Sequence, residues 1–183
     1  MIEASRDAGV PVIVGGRGFG VCGEYARSLG ANGLAPNAKA AIALLDGGEW
    51  PSFTDPAPPV LHPDDDYAEL SNRSRAVVDG SMAWLFERFP PMAAYDDMQL
   101  DRTTEDLAHI VDFAAAALFI DDVSLFTEFV GWLADILVPR EVPVAAARLG
   151  LEAVREQVPD LARARRFLTA GIDALDEHPL GIA

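Results

Sequence analysis

The stretch VPVIVGGRGFG at residues 10–20 decides the fold of the first part of the chain. Its β-branched run, which with Pro11 covers residues 11–14, is typical of a buried parallel strand. The paired glycines Gly15 and Gly16 follow at once, and glycine lets a chain turn sharply and lets a ligand approach the backbone closely. The stretch therefore predicts a buried strand followed by a glycine-rich loop that is able to bind a ligand.

The segments on either side of this strand alternate as in a parallel α/β sheet. In chain order the sequence predicts a helix over 2–8, the strand over 11–14, a helix over 24–29, a very short strand over 33–36 and a helix over 38–45 capped by Asn37. The segment 1–48 holds only two strands, and its 48 residues are about a third of a doubly wound domain of roughly 100–150 residues. Residues 1–48 are therefore interpreted as the C-terminal portion of a Rossmann-like α/β domain, cut at its amino-terminal side.

Residues 49–66 are predicted to form a proline-rich linker. Five prolines fall in this segment, at Pro51, Pro56, Pro58, Pro59 and Pro63. Chains of this composition are extended and semi-rigid. The linker separates the sheet fragment from a second part, which shows no strand pattern.

Residues 67–178 carry amphipathic helices with short loops, the pattern of a helical bundle. Apolar residues recur at helical spacing. The inward-facing sets include Leu107, Ile110, Val111, Ala114 and Leu118; Phe126, Phe129, Val130, Leu133, Ile136 and Leu137; Ala146, Leu149, Ala153 and Val154; and Leu161, Ala164, Phe167, Leu168, Ile172 and Leu175. Helices are predicted over 67–89 and 103–118, then from Asp122, Pro143 and Asp160 onward. The chain as a whole is expected to be mostly helical.

Other side chains of the second part are interpreted as structural. Aromatic residues at this spacing are most often core residues, and the set is Trp84, Phe86, Phe89, Phe119 and Trp132. Glu105, His109 and Asp112 share a helical face opposite the apolar stripe, so a solvated face is favoured over a metal site. Acidic residues before helices, such as Asp96-Asp97 and 64–66, are interpreted as caps rather than as catalytic pairs.

Composition excludes several classes of function. The net charge of −15 opposes binding to nucleic acid and to anionic membranes, because all three carry the same sign. The single cysteine, Cys22, supplies neither an internal disulfide nor a multi-cysteine metal site, as expected in a reducing compartment. No signal peptide or membrane-spanning stretch is seen. A cytoplasmic protein is expected.

The glycine-rich loop permits three interpretations. Gly18, Gly20 and Gly23 have the G-x-G-x-x-G spacing of a dinucleotide site. That site expects an acidic residue after the next strand, whereas Pro36-Asn37 stands there. A tight turn without a ligand is the second interpretation, and a binding loop for another cofactor is the third.

Residues 6–20, together with 29–33 and 35–38, resemble the end of the cobalamin-binding domain family. The resemblance implies that Gly15 and Gly16 pack along the nucleotide tail of cobalamin, with Arg17, Gly18 and Phe19 as weaker neighbours. In that family the cobalt-ligating histidine lies in an Asp-x-His-x-x-Gly motif. The histidines of this chain, His62, His109 and His178, do not have that context.

The stretches 92–97 and 102–113, through 126–133, are similar to the helical extension that follows the cobalamin domain in many actinobacterial-type regulators. The resemblance implies a regulatory or sensory module without catalytic residues, in which the bundle contacts a protein partner or a second copy of the chain. Two alternatives remain open. One is a structural dimerisation bundle with a vestigial sheet fragment, and the other is a subunit of a cobalamin-dependent methyltransferase or mutase.

Overall fold

A computed structural model describes residues 2–16, 19, 23–47, 65–137, 139 and 143–177. The chain divides into two compact units, Met1–His62 and Pro63–Ala183, called here the sheet unit and the bundle unit. The described chain is mostly helical and contains a two-stranded parallel sheet, which confirms the predicted fold class at this level. Of the predicted linker, only Asp65 and Asp66 lie within the described residues.

The sheet unit alternates helices and strands in the predicted order. Its elements are α1 (Ile2–Asp7), β1 (Ile13–Val14), α2 (Glu24–Ser28), β2 (Gly33–Leu34) and α3 (Ala38–Asp46). β1 and β2 are parallel, with Ile13 opposite Gly33 and Val14 opposite Leu34. The side chain of Asn37 accepts a hydrogen bond of 2.9 Å from the backbone N–H of Ala40, so the predicted cap of α3 is present.

The prediction that β1 is buried was wrong. Val12, Ile13 and Val14 are only half-buried, and neighbouring Val10 is 54% exposed. A parallel strand is normally covered on both faces and flanked on both edges. Within the described residues, β1 has one neighbouring strand, and the buried apolar residues of the sheet unit are three alanines, Ala26, Ala31 and Ala35.

The bundle unit contains five longer helices and one short 3₁₀ helix among its described residues. They are α4 (Asp65–Arg88), the 3₁₀ helix (Pro90–Ala94), α5 (Asp97–Ile120), α6 (Val123–Leu137), α7 (Val144–Glu156) and α8 (Ala162–Asp176). α4 packs against α5 and α7, while α8 packs against α6 and α7. None of the described helices is long and apolar enough to cross a membrane.

α5 begins at Asp97, well before the predicted start at Thr103. The reason is a reciprocal capping box, in which Asp96 Oδ1 accepts from the backbone N–H of Gln99 at 2.8 Å. Gln99 Oε1 in turn accepts from the backbone N–H of Asp96 at 2.9 Å. Two N–H groups that lack intrahelical partners are satisfied in this way, so the polar segment before the apolar stripe also becomes helical.

The predicted apolar stripes of α5 and α8 form the core. Every member of both stripes is buried, and so is Phe126 of α6, which lies against Gly171 of α8. Two aromatic predictions were wrong, because Phe86 is 47% and Trp132 is 48% exposed. Trp132 lies off the apolar stripe of α6 at helical spacing, so it faces away from the core.

The cap predicted for α8 was also wrong. Leu161 stands at the N-cap position without a side-chain hydrogen bond to the helix. The carboxylate of Asp66, from α4, accepts instead from the backbone N–H groups of Arg163 and Ala164, at 2.7 and 3.2 Å. Asp160 forms an ion pair of 2.9 Å with Arg73. A residue of another helix has therefore taken the role assigned to a local one.

Candidate functional site

A cleft of about 620 Å³ opens at the carboxyl ends of β1 and β2. In parallel α/β sheets this end is where ligands bind. The cleft is lined by Ile13, Val14, Gly15, Gly16, Ala35, Pro36, Asn37, Ala38, Ala41 and Leu45. The lining offers apolar side chains and backbone groups, which suits binding by shape and by hydrogen bonds to the main chain.

Gly15 lies beside Ala35, where the segments that follow the two strands are in close contact. A Cβ atom built at this position would collide with the carbonyl oxygen of Ala35. The backbone N–H of Ala35 donates to the carbonyl oxygen of Val14 at 2.8 Å, so the contact continues the strand pairing. Gly15 is thus needed for the pairing itself, a structural role that the sequence pattern did not separate from ligand binding.

Gly16 has a different role from Gly15. Its φ of +105° is a backbone conformation that L side chains rarely adopt, and the space where a Cβ would lie is open. Its carbonyl oxygen accepts a hydrogen bond of 3.2 Å from the backbone N–H of Phe19, which tightens the loop. Phe19 is half-buried. Two other predicted site residues, Arg17 and Gly18, lie outside the described residues.

Both asparagines of the sheet unit are engaged with the backbone, and of the two only Asn37 lines the cleft. Asn32 Oδ1 accepts from the N–H of Val12 at 2.8 Å, and Asn37 caps α3. The first turn of α3 carries no acidic side chain, so the partial positive charge of the helix N-terminus is not neutralised there. The sequence pattern identified Asn37 as a cap but not as part of the cleft.

The bundle unit contains a second cleft of about 660 Å³, which the sequence did not reveal. Its floor is apolar, with Met92, Leu107 and Ile110 almost completely buried. Its polar lining comes from the first half of α5 and includes Gln99, Arg102, Thr103, Glu105 and Asp106. The rim therefore carries one positive and two negative side chains, a net charge of −1.

The remaining chemically active residues do not converge in the described part of the chain. Glu105, His109 and Asp112 are exposed along one face of α5, as their spacing predicts. Among the described residues, no group of three His, Cys, Asp or Glu side chains is arranged to hold a metal ion. Cys22, His62 and His178 lie outside the described residues.

Comparison with protein-family models gave no match for this chain, and comparison with curated proteins gave none either. The cleft and its glycines are therefore a candidate site only by their geometry and by the sequence pattern.

Proposed function

We propose that the chain is a regulatory or sensory module of the cobalamin-binding type. In this proposal the sheet unit holds the nucleotide tail of cobalamin in the glycine-edged cleft, and the bundle unit contacts a protein partner. The observation that carries the proposal is the position of Gly15 and Gly16. These two residues were assigned to the tail by resemblance, and both line a cleft at the carboxyl ends of parallel strands.

The chemistry of the cleft suits a nucleotide tail. The tail carries a phosphodiester, and the N-terminus of a helix favours negative charge by its dipole and its unpaired N–H groups. Asn37 and Ala38, at the start of α3, line the cleft. The apolar residues Ala41 and Leu45 extend along the same helix and offer a surface for the flat base of the tail.

The proposal is tested by equilibrium dialysis of the purified chain against hydroxocobalamin, with bound corrinoid measured from its visible absorbance. Cobinamide, which lacks the nucleotide, serves as the paired ligand. Because the proposed contacts are made to the tail, we expect cobinamide to bind about tenfold or more weakly, a difference of about 1.4 kcal/mol. Equal binding of the two corrinoids, or binding of neither, would contradict the proposal.

Two glycine variants provide a matched pair. Gly16→Val places a branched side chain in the cleft lining and should abolish retention of hydroxocobalamin. Gly9→Val is the control, because Gly9 also has a positive φ, +69°, and open space around its Cβ position but does not line the cleft. Both variants place a branched side chain at a positive φ, and the backbone strain is greater at Gly16, whose φ of +105° lies outside the left-handed helical region. A loss of binding in both would show that strain, rather than occupation of the cleft, is responsible.

A second candidate, a structural interaction bundle, is favoured by one observation. Trp132 is 48% exposed and continues an aromatic row, since its ring lies 6.1 Å from that of Phe129. Phe129 is stacked on Phe113 at 3.9 Å. An exposed tryptophan backed by rigid aromatic rings is typical of a protein contact. This candidate predicts partner binding that does not change when corrinoid is added.

A further inference from the structure

Three arginine side chains meet at the corner between α7 and α8. Arg155 stands in the last turn of α7, and Arg165 and Arg166 lie near the start of α8. Arg165 Nη1 donates to the carbonyl oxygen of Arg155 at 3.0 Å, and Arg155 Nη1 donates to Thr169 Oγ1 at 3.5 Å. Thr169 follows Arg165 and Arg166 by one helical turn, so it shares their face of α8. The three guanidinium groups therefore gather around one threonine.

The three arginines lack carboxylate partners in a chain where acidic side chains outnumber basic ones by 29 to 14. None of the ion pairs formed by the described residues involves them. Arg148, in contrast, pairs at 2.6 Å with Glu152, four positions later. Neither Arg165 nor Arg166 has an acidic residue three or four positions away. The corner is thus a local concentration of positive charge, which attracts an anion.

Arg155 keeps most of its hydrogen-bonding capacity. A guanidinium group has five N–H donors. Within the described part of the chain, the side chain makes the single hydrogen bond to Thr169, and its Nε is buried without an acceptor. A buried donor without an acceptor is unfavourable. The side chain of Arg155 therefore gains from an external acceptor that lets it turn toward the other two arginines.

A shallow cavity of about 520 Å³ lies beside this corner and limits the size of the ligand. Arg165 and Arg166 line one end of it, and Pro159 and Ala162 add an apolar surface. Asp173 lines the cavity as well, seven residues after Arg166 and so about 10 Å further along the helix axis. Its carboxylate repels a second negative charge at that end. The cavity therefore suits one anionic group that carries a short uncharged body.

We propose that this corner binds a small phosphate monoester, whose phosphate group is held by Arg155, Arg165 and Arg166. The planar fork of a guanidinium group matches the spacing of phosphate oxygens. A monoester offers three terminal oxygens to the three guanidinium groups, whereas a carboxylate offers two. The net charge of −15 opposes long polyanions. The site belongs to the bundle unit alone, so it goes beyond the proposed function and does not depend on corrinoid.

The first test is an NMR titration of the full ¹⁵N-labelled chain with ethyl phosphate at constant ionic strength. We expect saturable shifts of the amide signals at the end of α7 and the start of α8. Acetate should bind about tenfold or more weakly, because it accepts fewer of the guanidinium donors. Shifts that do not saturate, shifts that map elsewhere, or equal affinity for acetate would overturn the proposal. Inorganic phosphate binding tenfold more tightly than ethyl phosphate would overturn the assignment to an ester.

A pair of variants separates the site from the overall charge of the chain. Arg166→Gln removes an exposed side chain, so the fold should persist. We expect it to raise the dissociation constant for ethyl phosphate about fivefold or more. Arg75→Gln is the control, since Arg75 is exposed on α4 and its loss changes the net charge equally. The same weakening in both variants would show a response to net charge alone and would overturn the proposal.

Discussion

The carboxylate of Asp66 accepts a hydrogen bond of 2.7 Å from the backbone N–H of Arg163, a residue 97 positions later in the chain. It also accepts from the N–H of Ala164 at 3.2 Å. α8 thus begins with a capping residue supplied by α4. The contact joins the first and last described helices of the bundle unit and satisfies two of the N–H groups that the first turn of a helix leaves without intrahelical partners.

We expect Asp66→Ala to lower the free energy of unfolding by about 1–2 kcal/mol, because two N–H groups of α8 lose their acceptor. The measurement is urea denaturation followed by circular dichroism at 222 nm. Asp65→Ala is the control, since Asp65 is exposed in the same first turn of α4. If both variants have the same effect, the loss reflects the dipole of α4 rather than the cap of α8.

Arg163→Met should destabilise the bundle unit by about 1.5–3 kcal/mol, in the range of hydrogen bonds to charged groups. Arg163 Nη2 donates to the carbonyl oxygen of Leu118 at 2.7 Å and to Asp121 Oδ1 at 2.8 Å, so it closes the C-terminal end of α5. Arg166→Met on the exposed face of α8 should change the midpoint of urea denaturation little. If Arg163→Met leaves the free energy of unfolding unchanged, water satisfies the hydrogen-bond acceptors at this end of α5.

Gly171→Ala is expected to destabilise the chain by about 1–3 kcal/mol through overpacking. A Cβ at Gly171 would lie 2.7 Å from Cε1 of Phe126, which is fully buried at the contact of α6 with α8. Gly131→Ala is the matched control, because nothing lies within 4 Å of its Cβ position. That variant should raise stability by about 0.5–1 kcal/mol through helix propensity alone. Opposite signs for the two variants in thermal unfolding are the expected result.

The Arg73–Asp160 pair predicts a pH dependence. The hydrogen bond from Arg73 lowers the pKa of Asp160 below its ordinary value of 3.8. A carboxyl group whose pKa is lower in the folded state stabilises the fold above its ordinary pKa and ceases to do so as the pH falls through the folded value. Asp160→Asn should therefore lower the melting temperature at pH 7, and this difference should shrink as the pH falls below 3.8 and through the folded pKa of Asp160. If the difference in melting temperature between the two proteins does not change with pH, the charge of the carboxylate does not contribute to stability.

Local periodicity was enough to predict most of the bundle unit. The buried stripes of α5 and α8 follow from helical spacing, because each helix must turn its apolar face toward the others. The early start of α5 was also readable, since Asp96 and Gln99 stand at the spacing of a capping box. The exposure of Trp132 follows from the same periodicity, because this residue lies off the apolar stripe of α6. The prediction that it is buried relied instead on the general preference of aromatic residues for the core.

Long-range contacts were beyond the reach of the sequence pattern. The cap of α8 by Asp66 requires α4 and α8 to be neighbours, and nothing local specifies that arrangement. In the sheet unit the pattern singled out Gly15 and Gly16, but the rest of the cleft depends on the register of β1 and β2. The cleft of the bundle unit draws its lining from four helices and the 3₁₀ segment, so no contiguous motif marks it.

The bond between Asp66 and the start of α8 also has a consequence for biosynthesis. At roughly 5–20 residues per second, the ribosome needs about 5–20 s to extend the nascent chain from α4 to α8. During that interval the apolar faces of α6 and α7, against which α8 packs, lack their last partner, and the capping contact between Asp66 and α8 cannot form. The bundle unit therefore closes only near the end of its translation, and the nascent chain is most exposed to chaperones and proteases just before α8 emerges.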